Sequence, residues 1–287
     1  MSERRLVILG ASGFIGSNIE RQARSRGWDT LPLNSSVLDL TRPAAAKQLR
    51  RRLRKADVVV HSSAVAPSKS MTEVIKNLVM TQAVAEALDG SEVSRLIVIS
   101  SDAVYADLSG VITEHTPAAP DSFHGFMSLG RELICETIPD LARTTFRLAP
   151  VYGLGDTHDS YGPNRFIRQA VQEGKIKLFG TGKAKRDHVS VQDVAAIVLE
   201  AAERQICGTY NLASGKSESF YSLASAVAGA IPGTKLEITG NESAPTFRNF
   251  DISNLLKSFS AIRPTQPAEG ISRLAQSTHS LFQSELT

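Results

Sequence analysis

The stretch LVILGASGFIG, residues 6–16, places four apolar residues directly before three glycines that are spaced three apart. The apolar run is typical of a short buried strand, and Ile15, Ile19 and Ala23 then recur at helical spacing. The glycines therefore lie between a predicted strand and a predicted helix. Glycines in this context permit a sharp turn and let the backbone approach a pyrophosphate, which the free N–H groups of the helix N-terminus bind. The stretch predicts a dinucleotide-binding turn.

Strand and helix patterns continue to alternate along the rest of the chain. Further strands are predicted in DTLPLN, DVVVHSSAV, SRLIVISSDAVY, RTTFRLAPVYG and GTYNLASG. Helices are predicted in EVIKNLVMTQAVAEALDG and in PAAAKQLRRRLRKA, whose arginine run is interpreted as a solvated face. This alternation predicts an α/β protein with a Rossmann-type, doubly wound parallel sheet. The 287 residues suffice for one large domain with a smaller lobe.

Composition narrows the classes of partner. Hydrophobic residues make up 42% and charged residues 21%, as in globular proteins, and the formal charge of +3 gives little support for nucleic-acid binding. No stretch reaches the roughly 20 apolar residues that span a membrane. The two cysteines lack the spacing of metal ligands and fit a reducing compartment. We expect a cytoplasmic protein without nucleic acid, membrane or metal.

The second predicted strand is not followed by the acid that would hold a ribose hydroxyl. Asn34 stands near that place, followed by Ser35 and Ser36. Uncharged polar side chains do not repel a 2′-phosphate. The sequence therefore leaves both NAD and NADP open as the cofactor.

Several segments together resemble the extended short-chain dehydrogenase/reductase family, in its nucleotide-sugar epimerase/dehydratase branch. After GASGFIG, the motifs LDLT, VVVHSSAVA, NLVMTQAV, VISSDAVYAD, FRLAPVYGLGD, SYGPNRFIRQA, LFGTGKAKRDHVSVQDVA and FDISNLLKSF follow in the family's order. The likeness covers nearly the whole chain. It implies a dinucleotide-binding domain of residues 1–153 and 187–213. It also implies a small C-terminal substrate lobe of residues 154–186 and 214–287, which would hold the nucleotide of a nucleotide-linked sugar.

The resemblance also assigns binding residues. Those implied for the cofactor are Gly10, Ser12, Gly13, Phe14, Ile15, Gly16, Asn34, Asp39, Leu40, Ser63, Ala64 and Asn77. Those implied for the substrate are Asn164, Arg165 and Arg186. Arginine offers paired donors that fit a phosphate. Arg186 could instead form a local salt bridge with Asp187.

The family's Tyr-x-x-x-Lys pair is missing. The residues four positions after the five tyrosines are Ser109, Asp156, Arg165, Ser214 and Ser225. The best register lies in HGFMSLGRE, residues 124–132, where Gly125 and Glu132 match the family. This register puts His124 at the tyrosine place and Ser128 at the lysine place. A second register puts Met127 and Arg131 there, which keeps a cation but loses the two matches.

The first register changes the chemistry that the resemblance implies. Histidine moves protons and titrates near neutrality without help, so His124 can replace the tyrosine without a lysine. Ser101 takes the place of the catalytic serine, Asp102 keeps half of the dehydratases' acid pair, and Ser128 can hydrogen-bond a ribose hydroxyl. The alternatives are that His124 only hydrogen-bonds at a helix start and that Asp102 only caps a loop.

Two functions follow from this resemblance. The first is an NAD(P)-dependent enzyme that acts on a nucleotide-linked sugar by epimerisation, dehydration or reduction. The second is a non-catalytic dinucleotide-binding regulator or assembly protein, which the loss of both Tyr and Lys favours and the intact substrate-lobe segments oppose. The resemblance also implies a homodimer that pairs through EVIKNLVMTQAVAEAL and GFMSLGRELICETI.

Overall fold

Six parallel strands form one central sheet within the residues that the computed structural model describes, which are 5–106, 110–156, 158, 160–240 and 246–285. The strands are β1 (Arg5–Leu9), β2 (Asp29–Leu33), β3 (Val58–His61), β4 (Arg95–Ser101), β5 (Gly110–Ile112), β6 (Arg143–Leu148), β7 (Val151–Tyr152), β8 (Lys175–Phe179), β9 (Lys185–Asp187), β10 (Val189–Ser190), β11 (Gly208–Leu212), β12 (Ser217–Ser219), β13 (Lys235–Thr239) and β14 (Arg248–Phe250). The helices are α1 (Phe14–Ser25), α2 (Ala45–Arg50), α3 (Met71–Leu88), α4 (Phe123–Glu136), α5 (Pro163–Glu173), α6 (Val191–Arg204), α7 (Phe220–Ala230), α8 (Ser253–Ser258) and α9 (Pro267–Glu285), and a 3₁₀ turn spans Asp102–Val104. In these described ranges no helix combines the length and the apolarity needed to cross a membrane.

The central sheet has the strand order β2-β1-β3-β4-β6-β11. The register pairs Leu6 with Val58 and Leu96 with Arg143. From β1 the chain first moves outward to β2 and then returns to the other side of β1 as β3. The strand order therefore reverses between β1 and β3, and ligands of such sheets bind at the carboxyl ends of the strands beside this point. The predicted Rossmann-type parallel sheet is confirmed.

Each face of the sheet has its own apolar core. Leu6 and Ile8 pack with Ile19 of α1 on one face. Val7 and Leu9 pack with Val84 of α3 on the other. Because successive side chains of a strand point to opposite faces, a strand covered by helices on both sides must be apolar throughout. This requirement explains the uninterrupted apolar run of β1.

A third core holds the smaller lobe together. It contains side chains from α5, β8, α7 and α9, including Phe166, Ile176, Leu223 and Ile271. Residues 248–259 behave differently from the rest of the predicted lobe. Strand β14 pairs with β5, and Phe250, Leu255 and Phe259 pack in the core of the main domain. The predicted segments 154–186 and 214–287 thus contain the lobe core together with a stretch that packs in the core of the main domain.

Candidate functional site

A cavity of about 450 Å³ opens at the point where the strand order reverses. The glycine turn, the carboxyl ends of β4 and β6, one face of α4 and the loop before α5 line it. The predicted site residues in its wall are Gly13, Phe14, Ile15, Gly16, Ala64, Ser101, Asp102, His124, Ser128 and Asn164. The predicted residues outside that wall are Gly10, Ser12, Asn34, Asp39, Leu40, Ser63, Asn77, Arg165 and Arg186. The structure therefore brings together residues predicted for the cofactor, the chemistry and the substrate.

The glycine turn fits a dinucleotide pyrophosphate. Gly10 has φ +87°, and a Cβ on it would lie 2.7 Å from the backbone nitrogen of Ser63. A Cβ on Gly16 would overlap the carbonyl oxygen of Gly10. Gly13 is the N-cap of α1 and provides no capping side chain, which leaves the N–H groups of the first turn to an anion. Among the described residues, the buried hydroxyl of Ser63 beside this turn has no hydrogen-bond partner.

The residues predicted for the adenine side follow β2 and form local turns. The side-chain oxygen of Asn34 accepts hydrogen bonds from the N–H and the hydroxyl of Ser36. The Asp39 carboxylate accepts from the N–H and the hydroxyl of Thr41, and these bonds lower the pKa of Asp39. Leu40 is buried. The turns orient these side chains, and their contact with an adenosine stays a prediction.

Asn77 of α3 supports the loop that follows β3. Its amide oxygen accepts from the N–H of Val65 at 2.8 Å, and its amide nitrogen donates to the Val65 carbonyl and to the Ser68 hydroxyl. Asn77 is fully buried. In this arrangement Asn77 fixes the loop that carries Ala64 into the cavity, and its own contact with the cofactor stays a prediction.

His124 lies in the first turn of α4, which begins after its N-cap Ser122. A Cβ on Gly125 would overlap the Ala103 carbonyl, so this glycine lets the helix start lie against the 3₁₀ turn. The Nδ1 atom of His124 accepts from the N–H of Ser68 at 3.4 Å. Burial lowers the pKa of His124, and the nearby charge of Arg131 lowers it further.

Ser101 and Asp102 lie at the carboxyl end of β4. The Ser101 hydroxyl accepts from the N–H of Ala103 at 3.1 Å and is 3.4 Å from the Asp102 carboxylate. Ser101, rather than Asp102, therefore caps the 3₁₀ turn. The Asp102 carboxylate is 3.5 Å from Nη1 of Arg248, whose Nη2 donates to the Asp102 carbonyl. The predicted acid is thus a member of a buried ion pair.

One face of α4 carries the residues of both registers. His124, Met127, Ser128 and Arg131 are spaced three or four apart, which places them on one side of a helix, and all four line the cavity. The Ser128 hydroxyl donates to the carbonyl of His124 at 2.9 Å. Ser128 can therefore accept a hydrogen bond from a ribose hydroxyl, and the positive charge on this face is that of Arg131.

The three residues predicted for the substrate differ in their surroundings. Asn164 donates to the Asp156 carboxylate at 2.7 Å and accepts from the N–H of Gly153 at 3.1 Å. Arg165 is half-buried outside the cavity wall. Arg186 donates to the carbonyl and the hydroxyl of Thr246. Of the three, Asn164 is the one that the structure places in the cavity.

Asp187, next to Arg186, hydrogen-bonds to a different segment. Its carboxylate accepts from the N–H and the hydroxyl of Ser214 and from the N–H of Gly215. Burial raises the pKa of Asp187 to about 6. Asp187 therefore ties β9 to the turn that follows β11.

His158, in the loop before α5, is a cavity residue that the sequence reasoning missed. Its Nδ1 is 3.1 Å from the Asp156 carboxylate, and its Nε2 is 2.6 Å from the Ala66 carbonyl. Both partners only accept hydrogen bonds, so both contacts form together when both ring nitrogens carry a proton. The sequence signal that could have revealed this residue is the presence of a histidine close to the GLGD segment. This residue connects the loop before α5 to the loop after β3.

His188, directly after β9, is the second cavity histidine that was missed. It packs against the ring of Phe220 and is almost fully buried. Burial lowers its pKa to about 4, so it is neutral at neutral pH. In the part of the chain that the structure describes, no group of three His, Cys, Asp or Glu side chains is placed to hold a metal ion.

The sequence of residues 6–213, from β1 through β11, matches one protein family. The chain belongs to the NAD dependent epimerase/dehydratase family. This match covers every strand of the central sheet and confirms the predicted family. Members of the epimerase/dehydratase family are NAD-dependent enzymes, as the sequence resemblance implied.

Similar proteins extend this epimerase/dehydratase match. GDP-L-fucose synthase of Azorhizobium caulinodans is 29% identical over 260 residues, which cover 79% of this chain and 81% of the relative. ADP-L-glycero-D-manno-heptose-6-epimerase of Helicobacter pylori superposes with a TM-score of 0.84 at 18% identity, covering 96% of each chain. UDP-glucose 4-epimerase of Thermus thermophilus, in complex with NAD, gives 0.82 at 23% identity, covering 97% of this chain and 99% of that one. The two structures share the fold of this family member.

Proposed function

We propose that this family member is an NAD(P)-dependent enzyme that oxidises or reduces a carbon of a nucleotide-linked sugar, as an epimerase, dehydratase or reductase. The observation that carries the proposal is that the glycine turn, Ser101, His124 and Asn164 all line one and the same cavity. A non-catalytic regulator needs a dinucleotide site but has no need of a substrate lobe that opens onto the same cavity. The similarity to a GDP-L-fucose synthase supports the same substrate class.

The reaction requires a protein group at the oxygen of the reacting carbon. Bound NAD or NADP supplies the hydride acceptor or donor. When an alcohol carbon is oxidised, its C–H hydrogen leaves as a hydride and its O–H hydrogen leaves as a proton. We assign the contact with this oxygen, and the handling of its proton, to His124, with Ser101 as a second hydrogen-bonding group. Asn34 and the two serines after it are uncharged, so this position is compatible with both NAD and NADP.

The nucleotide of the substrate is assigned to the lobe side of the cavity. Asn164 lies in the wall there, and Arg165 and Arg186 lie farther out, together with Lys183 and Lys185. Cations at these places suit the diphosphate of a nucleotide-linked sugar. Cys135 and Cys207 are free thiols, which accords with the cytoplasmic location that we propose.

Turnover with a panel of nucleotide-linked sugars tests the proposed function. The purified protein is incubated with NAD(H) or NADP(H) and with UDP-, GDP- and ADP-linked sugars in hydroxyl and keto forms. Nicotinamide absorbance reports net oxidation or reduction, and chromatography with mass spectrometry reports epimers and dehydrated products. We expect conversion of at least one sugar. Tight cofactor binding without any conversion across the panel would instead favour the non-catalytic regulator.

Exposed apolar side chains on the neighbouring helices α3 and α4 support the proposed homodimer. Ile75 and Val79 of α3 and Phe126 and Leu133 of α4 are each about half exposed, and the two helices pack side by side. Several exposed apolar side chains on two packed helices are typical of an interaction surface. In a two-fold symmetric pair each residue contributes twice, so the surface can bury itself against its own copy.

We expect the wild-type protein to be a dimer at micromolar concentration and Phe126→Lys to shift it toward the monomer. Burying the exposed half of one phenylalanine side chain contributes about 1 kcal/mol, so two lost copies weaken the dimer by roughly 30-fold. The matched control is Leu281→Lys on α9, which changes a side chain of similar exposure away from this surface. Light scattering measures both. A monomeric wild type, or equal dissociation of both variants, contradicts the proposed interface.

A further inference from the structure

Arg131 of α4 is a buried cation whose hydrogen-bond acceptors are all neutral. Its side chain lies under the carboxyl ends of β3 and β4 and is 3% exposed. Nε donates to the Thr81 hydroxyl at 3.3 Å and Nη1 to the Ile99 carbonyl at 3.1 Å. Nη2 donates to the carbonyls of His61 and Ser63 at 3.4 and 3.1 Å. Four of the five N–H groups of the Arg131 guanidinium thus donate hydrogen bonds. The fifth, on Nη1, can donate to a ligand in the cavity that Arg131 lines.

The titratable neighbours of Arg131 do not neutralise its charge. The carboxylate of Glu132, the next residue, accepts hydrogen bonds from Nε and Nη2 of Arg147. The shortest of these hydrogen bonds is 2.7 Å. Burial raises the pKa of Cys135 to about 11, so this thiol is neutral. Burial also holds the pKa of His61 well below its ordinary value, so His61 adds no second charge. Within the described residues, Arg131 takes part in no salt bridge, and an unpaired buried charge at a cavity points to a function.

His124 is the titratable group on the same face of α4 as this charge. The Ser68 N–H points at its Nδ1, so neutral His124 carries its proton on Nε2, the nitrogen left for a ligand. The other charged or titratable groups that line the cavity are Asp102 after β4, Asp156, His158 and Tyr161 before α5, and His188 after β9. Asp102 faces Arg248 and Asp156 faces His158, so neither carboxylate is placed to cancel Arg131 at His124.

We propose that Arg131 is a positioning residue that supplies the positive charge of the absent lysine and acts through His124, which it keeps neutral with the proton on Nε2. This inference rests on the proposed function and specifies the state of its central residue. When a keto carbon is reduced, a neutral Nε2–H donates a hydrogen bond to its oxygen and stabilises the negative charge that develops there as the hydride is added. Because the pKa of His124 is lowered in the folded protein, this form persists at neutral pH and is lost as the pH falls through that lowered value.

Two substitutions of Arg131 separate its charge from its hydrogen bonds. Arg131→Lys and Arg131→Met both lose the planar fork that clamps β3 and β4, and only the lysine keeps the charge. Histidine-labelled protein without cofactor or substrate is titrated by NMR, and His124 is assigned as the resonance absent from His124→Gln. We expect Arg131→Met to raise the His124 midpoint by about one pH unit and Arg131→Lys to move it by a few tenths. Equal midpoints in the two variants, or no rise with methionine, overturn the proposal.

The wild-type protein provides a measurement that does not depend on either variant folding. The ¹⁵N shifts of neutral His124 should show a protonated Nε2 and an unprotonated Nδ1, with a midpoint below the ordinary histidine value. The opposite tautomer, or a midpoint at or above that value, overturns the proposal. Because the measurement uses no substrate, it can fail while turnover is observed, and it can succeed while every sugar of the panel is refused.

Discussion

Replacing Gly13 with aspartate should abolish measurable binding of NAD(H) and NADP(H) while the protein remains folded. Gly13 is the N-cap of α1, where a carboxylate would occupy the N–H groups that the pyrophosphate is expected to use. It would also oppose the phosphate charge. Two like charges about 4 Å apart repel by about 4 kcal/mol at an effective dielectric constant near 20, which corresponds to roughly a 1000-fold loss of affinity.

The fold should tolerate this substitution. Gly13 has φ −76° and ψ 165°, an extended conformation that any residue adopts. The nearest atom to a Cβ at this position is the Gly10 carbonyl oxygen, at 3.3 Å. Aspartate is a preferred N-cap and stabilises a helix by roughly a few tenths of a kcal/mol relative to glycine. Thermal unfolding should therefore show an unchanged or slightly higher Tm, while calorimetric titration shows no binding.

Two control variants assign the loss of binding to its cause. Gly13→Ser introduces a capping side chain without a charge, so it should retain more affinity than Gly13→Asp, and the gap should widen at low ionic strength. Ser219→Asp places the same carboxylate at the N-cap of α7 in the lobe, and cofactor affinity should stay at the wild-type level. A Gly13→Asp variant that binds NAD as well as the wild type would refute the assigned pyrophosphate site.

The sheet could be predicted from the sequence because its determinants are local. A strand buried on both faces needs an uninterrupted apolar run, which β1 shows, and a strand-to-helix turn at an anion site needs glycines at fixed spacing. Both requirements act within about ten residues, so they are visible without coordinates. The family resemblance then added the expected division into a dinucleotide-binding domain and a substrate lobe, together with the residues implied for each ligand.

The arginine-rich helix α2 has a feature that local sequence patterns could not predict. The sequence predicted one helix through the arginine run with a solvated face, yet α2 ends at Arg50. The Arg50 side chain donates to the carbonyls of Glu86 and Ala87 at the end of α3, a helix with no basic residue in its own last turn. Cations stabilise the C-terminus of a helix. This one comes from 36 residues away, so no periodicity could reveal it.

In the candidate site, too, the sequence predicted the local features and missed those that depend on distant segments. The sequence treated the His124 and Arg131 registers as alternatives, because a motif comparison assigns one residue to each place. A helix instead presents residues three and four apart on one face, and both residues therefore reach one cavity. His158 and His188 were missed because distant loops bring them to that cavity. Such loops leave no periodic pattern in the sequence.

His124→Phe should lower turnover by roughly 100-fold or more and leave cofactor affinity nearly unchanged. Loss of a group that transfers or donates a proton in the transition state costs about this much. Phenylalanine keeps the ring volume in the wall of the cavity, so the packing of α4 against the 3₁₀ turn should persist. The substitution removes the acceptor of the Ser68 N–H, at a cost of about 1 to 3 kcal/mol in stability if that group stays buried. Steady-state kinetics, calorimetry and thermal unfolding separate these effects.

His124→Gln is the matched variant because its amide places an N–H donor near the position of Nε2. If His124 acts mainly as a neutral hydrogen-bond donor, this variant should keep at least about tenfold more turnover than His124→Phe. The wild-type rate should rise as the pH increases through the lowered His124 pKa, and both variants should lose this inflection. Equal turnover of the His124→Gln and His124→Phe variants would show that His124 acts mainly by proton transfer, which an amide cannot perform.

A His124→Phe variant at the wild-type rate would remove His124 from the chemistry altogether. Arg131 would then be the charged group of α4 left in the cavity wall, and the proton carriers to test next there would be His158 and Asp102. These groups come from the loop before α5 and from the end of β4, and both already hold charged partners, Asp156 and Arg248. His124 differs from them because, among the described residues, its imidazole ring accepts from a backbone N–H. Its proton is therefore not committed to an opposite charge, which is the physical reason to expect the largest effect at this residue.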